Sequence, residues 1–209
     1  MSDESLLSYL DGVEHTYDAY VAHVGHPVDF DAFFAANVYH VPFGGLAQRA
    51  HLRLARRELG LSKADAERHW RRKSAASLTY NRRTGGLFGG ATFIALASLI
   101  EQQPLAAGDR IGVYSYGSGS CAEFYSATVC DGARQTVAEI RLASQLDGRR
   151  PLSVEEYEAC EREIVASTGA ADYRSPDALI PGLWDSHYDG RGKLVFLGTR
   201  DHYREYAWS

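Results

Sequence analysis

The chain has 209 residues and a mass of 23.1 kDa, enough for one domain and too little for two full enzyme domains. Apolar residues make up 45% and charged residues 23%, proportions that exclude a disordered tail, a collagen-like chain and a coiled-coil rod. No apolar run approaches the ~20 residues needed to span a bilayer, and Met1-Ser2-Asp3-Glu4-Ser5 has no basic stretch leading into an apolar core. We therefore expect no membrane span, no secretion signal and a cytoplasmic location.

The net charge of −5 does not suit a nucleic-acid binder. The charge is unevenly spread, however. Between Arg49 and Arg83 stand eleven basic residues and only three acids, Glu58, Asp65 and Glu67, a local charge of +8. Such a stretch is either a solvated helical face or a docking surface for an anionic partner, such as an acyl carrier protein or a coenzyme phosphate. Cys121, Cys130 and Cys160 are odd in number and form no C-x-x-C pair. Their spacing suits neither a disulfide framework nor a structural zinc site.

In chain order, Ser5 to Val24 carries Leu6, Leu10, Val13, Tyr17 and Val21 at three- and four-residue steps, an amphipathic helix. After Gly25-His26-Pro27 a short helix is predicted over Asp29 to Ala36, then a short strand within Asn37 to Phe43 that delivers His40 to a Gly44-Gly45 turn. Leu46 to Leu59 reads as a helix stopped by Gly60, and Ser62-Lys63-Ala64-Asp65 as the cap of another basic helix. The run from Ala91 to Ile100 is apolar on nearly every side, the pattern of a helix covered in a layered core. Arg110 to Tyr116 reads as a strand ending at the turn Gly117-Ser118-Gly119-Ser120. Glu123 to Cys130 and Gln135 to Leu142 predict a β-hairpin about Asp131-Gly132, Ser153-Val154-Glu155-Glu156 caps a helix reaching Ser167, and Lys193 to Leu197 is the last predicted strand. With no repeats or linkers, the chain is expected to form one α/β unit over 1–209.

Two stretches could carry chemistry. His40, before Val41-Pro42-Phe43, sits where an imidazole would be held dry and fixed, able to act as a base or to donate to a thioester oxygen. A lone histidine among apolar residues is, by itself, more often a core residue. The small residues of Ser115-Tyr116-Gly117-Ser118-Gly119-Ser120-Cys121 let backbone N–H groups approach an oxygen, as in an oxyanion hole, or simply make a tight turn. Cys121 lacks a local base and is expected to pack in a strand. The other histidines show no ligand spacing, so neither metal nor cofactor is expected.

Together Tyr39-His-Val-Pro-Phe43, Ser77-Leu-Thr-Tyr-Asn-Arg-Arg-Thr-Gly85, Ala95-Leu-Ala-Ser-Leu99 and Ser115-Tyr-Gly-Ser-Gly-Ser-Cys-Ala-Glu-Phe-Tyr-Ser126 resemble the C-terminal half of the hydroxymethylglutaryl-CoA (HMG-CoA) synthase family. The similarity runs from about Ser5 onward; Gly90-Ala91-Thr92 and His202 to Trp208 are similar to the polyketide β-branching members, which work on carrier-protein thioesters. The resemblance implies half of a thiolase-like αβαβα sandwich and an acyltransferase making a C–C bond. In that chemistry an acetyl group on a cysteine is deprotonated by a glutamate, attacks the β-ketone of an acceptor thioester, and the product is released by hydrolysis. It further implies that His40 is the catalytic histidine, that Gly117 and Ser118 lie beside the thioester, and that Phe43 lines the pocket.

The departures shape the remaining expectations. The family's cysteine and glutamate belong to an N-terminal half that this sequence does not contain, and none of the three cysteines stands in the nucleophile's context. Gly86 replaces the family asparagine that polarises the acceptor, a loss of about 3 kcal/mol in transition-state stabilisation for one such donor. Gly44-Gly45-Leu46 lacks the lysine that relatives aim at coenzyme phosphates, whereas Arg49, Arg53, Arg56 and Arg57 could hold a carrier protein. The expectation is one subunit of a split synthase, pairing with a cysteine- and glutamate-bearing partner as a heterotetramer that contacts neither nucleic acid nor membrane. The alternatives are a non-catalytic carrier-binding or scaffolding subunit, and altered acyl-transfer or decarboxylase chemistry on the same fold.

Overall fold

A computed structural model describes residues 3–176 and 178–209. The chain groups into two compact units, 1–148 and 149–209.

The first unit is built on a three-stranded sheet, β1 (Ala36–Tyr39), β2 (Arg110–Gly117) and β3 (Cys121–Thr128), in which β1 runs parallel and β3 antiparallel to β2. Between β1 and β2 run the helices that make this parallel connection possible. Preceding β1 are α1 (Asp3–Val24) and the single turn α2 (Phe30–Phe33). The crossover holds α3 (Gly44–Leu59), α4 (Lys63–Lys73), a 3₁₀ turn at Ala75–Leu78, the short α5 (Asn81–Thr84) and α6 (Gly90–Gln102). Gly60 ends α3 in the left-handed region (φ 63°), and Ser62 caps α4 through the Asp65 amide.

Alternation along the strands divides the helices between two faces. Tyr39, Tyr114 and Phe124 face α1 and α3, where Tyr17, Phe30, Phe34 and Phe124 meet edge-to-face with ring centroids 5.2 to 6.0 Å apart. Gly112 lies in the same row as Asn37, whose side chain occupies the space a β-carbon would need. On the other face α6 packs against β1 and the 3₁₀ turn through Ala91, Thr92, Ala95, Ser98 and Leu99. The all-round cover expected for α6 is partial: Phe93 is 71% exposed and Phe88, just before the helix, 90% exposed.

A hydrogen-bond chain anchors the end of β1. Asp31, paired with Arg72 and Lys73, accepts from His69 Nε2 at 3.2 Å, so His69 Nδ1 is left as an acceptor. His51 Nε2 must then donate to it, across 2.8 Å, and His51 Nδ1 in turn accepts from the hydroxyls of Tyr39 and Ser74, both at 3.0 Å. Both imidazoles are neutral in this arrangement. Burial pushes each below its ordinary pKa, that of His51 well below.

The hairpin of this unit is not the one predicted. It joins β2 to β3 across Ser118–Ser120, while residues 133–140 form α7 (Ala133–Ile140), followed by α8 (Leu142–Asp147). Gly132 (φ 76°) turns the chain into α7, and Arg134 docks on the carbonyls of Glu101 and Gln103 at the end of α6, a tertiary bond that outweighs local strand propensity.

The second unit contains α9 (Val154–Ser167), started by a capping box between Ser153 and Glu156, then β4 (Tyr173–Arg174), α10 (Leu183–His187), β5 (Leu194–Arg200) and β6 (Tyr203–Trp208). The last predicted strand is therefore followed by another. Asp201 and His202, with φ 48° and 65°, make the two-residue turn between β5 and β6, a geometry usually flagged by Asn-Gly. Ile180 is the one buried large apolar residue among those described in this unit, and a cavity of about 1100 Å³ opens beside Trp184, Tyr188 and Phe196.

Candidate functional site

β1 ends one residue before His40, whose N–H continues the ladder by donating to Tyr114 O at 2.7 Å. Its carbonyl accepts from the Tyr9 hydroxyl at 2.7 Å, and the Tyr114 hydroxyl donates to Tyr9 O at 2.9 Å, so α1 and β2 clamp the backbone on both sides. Because successive side chains alternate across a sheet, Tyr39 points to the buried histidine chain and His40 to the opposite face. There its Nδ1 lies 3.3 Å from Thr92 Oγ1 on α6. Burial lowers the His40 pKa, so the ring is neutral near pH 7. With Nδ1–H donating to Thr92, Nε2 is a base; with the threonine donating, Nε2–H is a hydrogen-bond donor.

His40 opens into a cleft of about 890 Å³ lined by Glu4, Ser8, Tyr9, Pro42, Leu46, Phe88 and the whole stretch from Ser115 to Glu123. The cleft thus joins the two stretches singled out in the sequence. Gly117 is extended, Gly119 has φ 76° and Ser120 φ 57°. A non-glycine residue in that region is strained, and Ser120 is held there by hydroxyl contacts: Ser8 Oγ donates to it at 2.7 Å, and Tyr116 OH lies 2.9 Å from Ser8 and 3.4 Å from Ser120.

The other predicted residues fall in different places. Gly117 and Ser118 line the cleft, but Pro42 and Leu46 line it where Phe43 was expected. Phe43 caps α3, 45% exposed, with its ring beside Gly45. Gly86 is exposed outside the cleft lining, with no atom near the position of a β-carbon. Arg53 pairs with Asp11 and Glu14, and Arg57 with Asp18 and Glu58, whereas Arg49 and Arg56 are exposed and unpaired among the described residues. Cys121 does not pack in the sheet as expected. It faces Gly117 in the register, which has no side chain to cover it, and so is exposed in the cleft.

Sequence reasoning missed Ser8, Tyr9, Thr92 and Glu123 as parts of this site. Only pairing between distant segments brings them to His40. Among the described residues, no cluster of His, Cys, Asp and Glu could hold a metal ion, and no helix is long and apolar enough to cross a membrane.

Comparison with known proteins places this geometry. The family model "Hydroxymethylglutaryl-coenzyme A synthase C terminal" matches residues 56–185. The polyketide biosynthesis 3-hydroxy-3-methylglutaryl-ACP synthase PksG of Bacillus subtilis (strain 168) is 32% identical over 99% of this chain and 49% of its own length. The crystal structure of the curacin biosynthetic pathway HMG synthase superposes with a TM-score of 0.93 at 35% identity, covering 100% of this chain and 52% of that one. The same synthase in complex with its holo donor-ACP superposes with a TM-score of 0.91. The chain spans about half the length of the relatives it matches, and its α/β architecture is that of these thiolase-like synthases.

Proposed function

The chain belongs to the hydroxymethylglutaryl-CoA synthase family, and from that premise we propose that it is the histidine-bearing subunit of a split synthase acting in polyketide β-branching. The observation that carries this reading is the cleft in which His40, fixed by Thr92 and by backbone clamps, faces the Ser115–Ser120 loop.

In this reading His40 orients the acceptor thioester and serves the cysteine that a second chain contributes. Its burial supports the role, because a neutral imidazole can take or give a proton near pH 7. The loop amides at Gly117 and Ser118 meet the thioester oxygen as charge develops on it. The partner chain supplies the acetyl-carrying cysteine and the glutamate base, and covers Phe88 and Phe93, apolar surfaces that would otherwise stay wet. Acyl carrier proteins deliver both thioesters, with Arg49 and Arg56 as the arginines available to meet them; Arg53 and Arg57 are engaged by acids of α1 and α3. Two copies of each chain would form the assembly.

The test is co-purification with a chain carrying the cysteine, then mass spectrometry after addition of acetylated carrier protein. An acetyl adduct on the partner, formed only when both chains are present and consumed on adding a β-ketoacyl carrier thioester, is expected. A chain that purifies alone as a monomer and never supports loading or consumption overturns the reading.

Gly86 favours a second reading, a carrier-binding subunit without turnover. The open space around it accepts a side chain, so Gly86→Asn should fold normally. If the catalytic reading holds, the complex turns over with either residue, because position 86 lies outside the cleft lining; a scaffold would show no turnover with either residue.

A further inference from the structure

The register of the sheet places a third reactive group in line with His40. Ser115 of β2 pairs directly with Glu123 of β3, and one step beyond the Tyr39–Tyr114 pair the parallel register sets His40 beside Ser115. Directly opposed residues share a face of the sheet, so His40, Ser115 and Glu123 form a row across three strands. All three line the cleft. Neighbouring strands lie about 4.8 Å apart, so about 10 Å of backbone separates the ends of the row, room for a thioester carbonyl and a water between them. His40 is buried, whereas Glu123 is exposed at the cleft, and neither it nor Ser115 has a side-chain partner among the described residues. Asp11, Glu14, Asp18, Asp31, Glu58 and Glu101, by contrast, each hold a cation or a hydroxyl.

We propose that Glu123 is a catalytic residue of the cleft, the general base for the water that releases the product. This deepens the split-synthase reading and rests on it. The water oxygen bonds to the thioester carbonyl carbon as its proton passes to the Glu123 carboxylate. Collapse of the adduct breaks the C–S bond, and the same proton goes from Glu123 to the departing sulfur. The products are a carboxylic acid and a thiol, and the carboxylate is restored. Solvent exposure suits this step, because water reaches Glu123 without crossing the core. His40, dry and fixed on Thr92, faces the acyl group from the other end of the row. Glu4, Tyr9, Tyr116 and Cys121 are the other titratable groups lining the cleft.

The test uses the co-purified complex and Glu123→Gln, a change that removes no side-chain hydrogen bond among the described residues. Acetyl loading, C–C bond formation and release are followed separately by mass spectrometry in a single turnover. Loading and bond formation should proceed as in the wild type while release slows by about 100-fold, so that the condensed acyl adduct accumulates on the partner. Release at the wild-type rate overturns the proposal, as does loss of loading itself, which would place Glu123 in an earlier step. A second readout needs no turnover: the titration of His40 followed by NMR. Removing a carboxylate that faces the same cleft should lower the His40 midpoint, and an unchanged midpoint breaks the link between the two ends of the row. If the wild-type complex never loads acetyl, the split-synthase reading fails on its own control, and the His40 titration still decides whether the row exists.

Discussion

Two histidines eleven residues apart in the sequence, His40 and His51, show what a fold can do with the same side chain. His40 keeps one ring nitrogen on Thr92 and offers the other to an 890 Å³ cleft. His51 has both nitrogens committed, to Tyr39 and Ser74 on one side and His69 on the other. Burial lowers the pKa of each. A depressed pKa therefore does not mark a reactive histidine; an uncommitted nitrogen facing a cavity does. The two sites are nonetheless joined, since Tyr39 and His40 are neighbours on opposite faces of the sheet.

The contrast predicts opposite outcomes for the same substitution. His40→Ala should lower condensation by the assembled enzyme about 10²- to 10⁴-fold, while the unfolding midpoint of the chain moves less than for His51→Ala, because the buried His40 ring borders the open cleft and makes one side-chain hydrogen bond, to Thr92 at 3.3 Å. Parallel activity and urea-denaturation measurements check it; equal damage to stability would make His40 a structural residue. His51→Ala should do the reverse. It opens a cavity and strands the partners of both nitrogens, a loss of about 3–5 kcal/mol, with activity falling only as far as the folded fraction does.

Acid should find the buried chain first. The folded-state pKa values of His51 and His69 are depressed, so the unfolded chain binds protons that the folded one refuses. Their contribution is complete above the ordinary histidine value, about 6.5, and is lost as pH falls below it toward the folded values. Protonating His69 at Nδ1 also sets two N–H groups against each other across the 2.8 Å contact, and protonating His51 at Nδ1 removes the acceptor that the Tyr39 and Ser74 hydroxyls use. Urea midpoints should therefore fall steadily from pH 6.5 downward, and a doubly substituted His51→Gln/His69→Asn chain, which cannot titrate there, should show a flatter profile. Equal slopes would sink the idea.

Much of this was legible in the sequence where signals are local. The period of α1 and α3, the cap at Ser62, the capping box at Ser153 and the small-residue loop after β2 all depend on residues within one or two turns of each other. His40 was legible because it sits in a short motif. Thr92 and Tyr9 were not, since they reach His40 from α6 and α1, 52 and 31 residues away. The bond between His69 and Asp31 spans 38 residues and has no spacing rule behind it. The predicted hairpin about Asp131-Gly132 failed for the same reason: the contact that decides for a helix, Arg134 on the end of α6, is tertiary.

The smallest effect gives the finest test, because it turns on sign. Tyr39 and Tyr17 are both fully buried tyrosines of one aromatic core, and burial raises the pKa of both hydroxyls. They differ in where the hydroxyl goes. That of Tyr39 donates to His51 Nδ1, a site it shares with Ser74, so Tyr39→Phe leaves one donor in place and should cost about 1 kcal/mol. That of Tyr17 has no hydrogen-bond partner among the described residues, and an orphaned buried hydroxyl is a liability that folding already carries. Tyr17→Phe keeps the ring against Phe30 and Phe124 and the Arg57 guanidinium over its face, and should leave the protein unchanged or more stable by up to about 1 kcal/mol. Chemical denaturation of the two variants side by side resolves the difference. Equal losses would mean that Tyr17 has a partner in solution, and that a buried water joins it to the core.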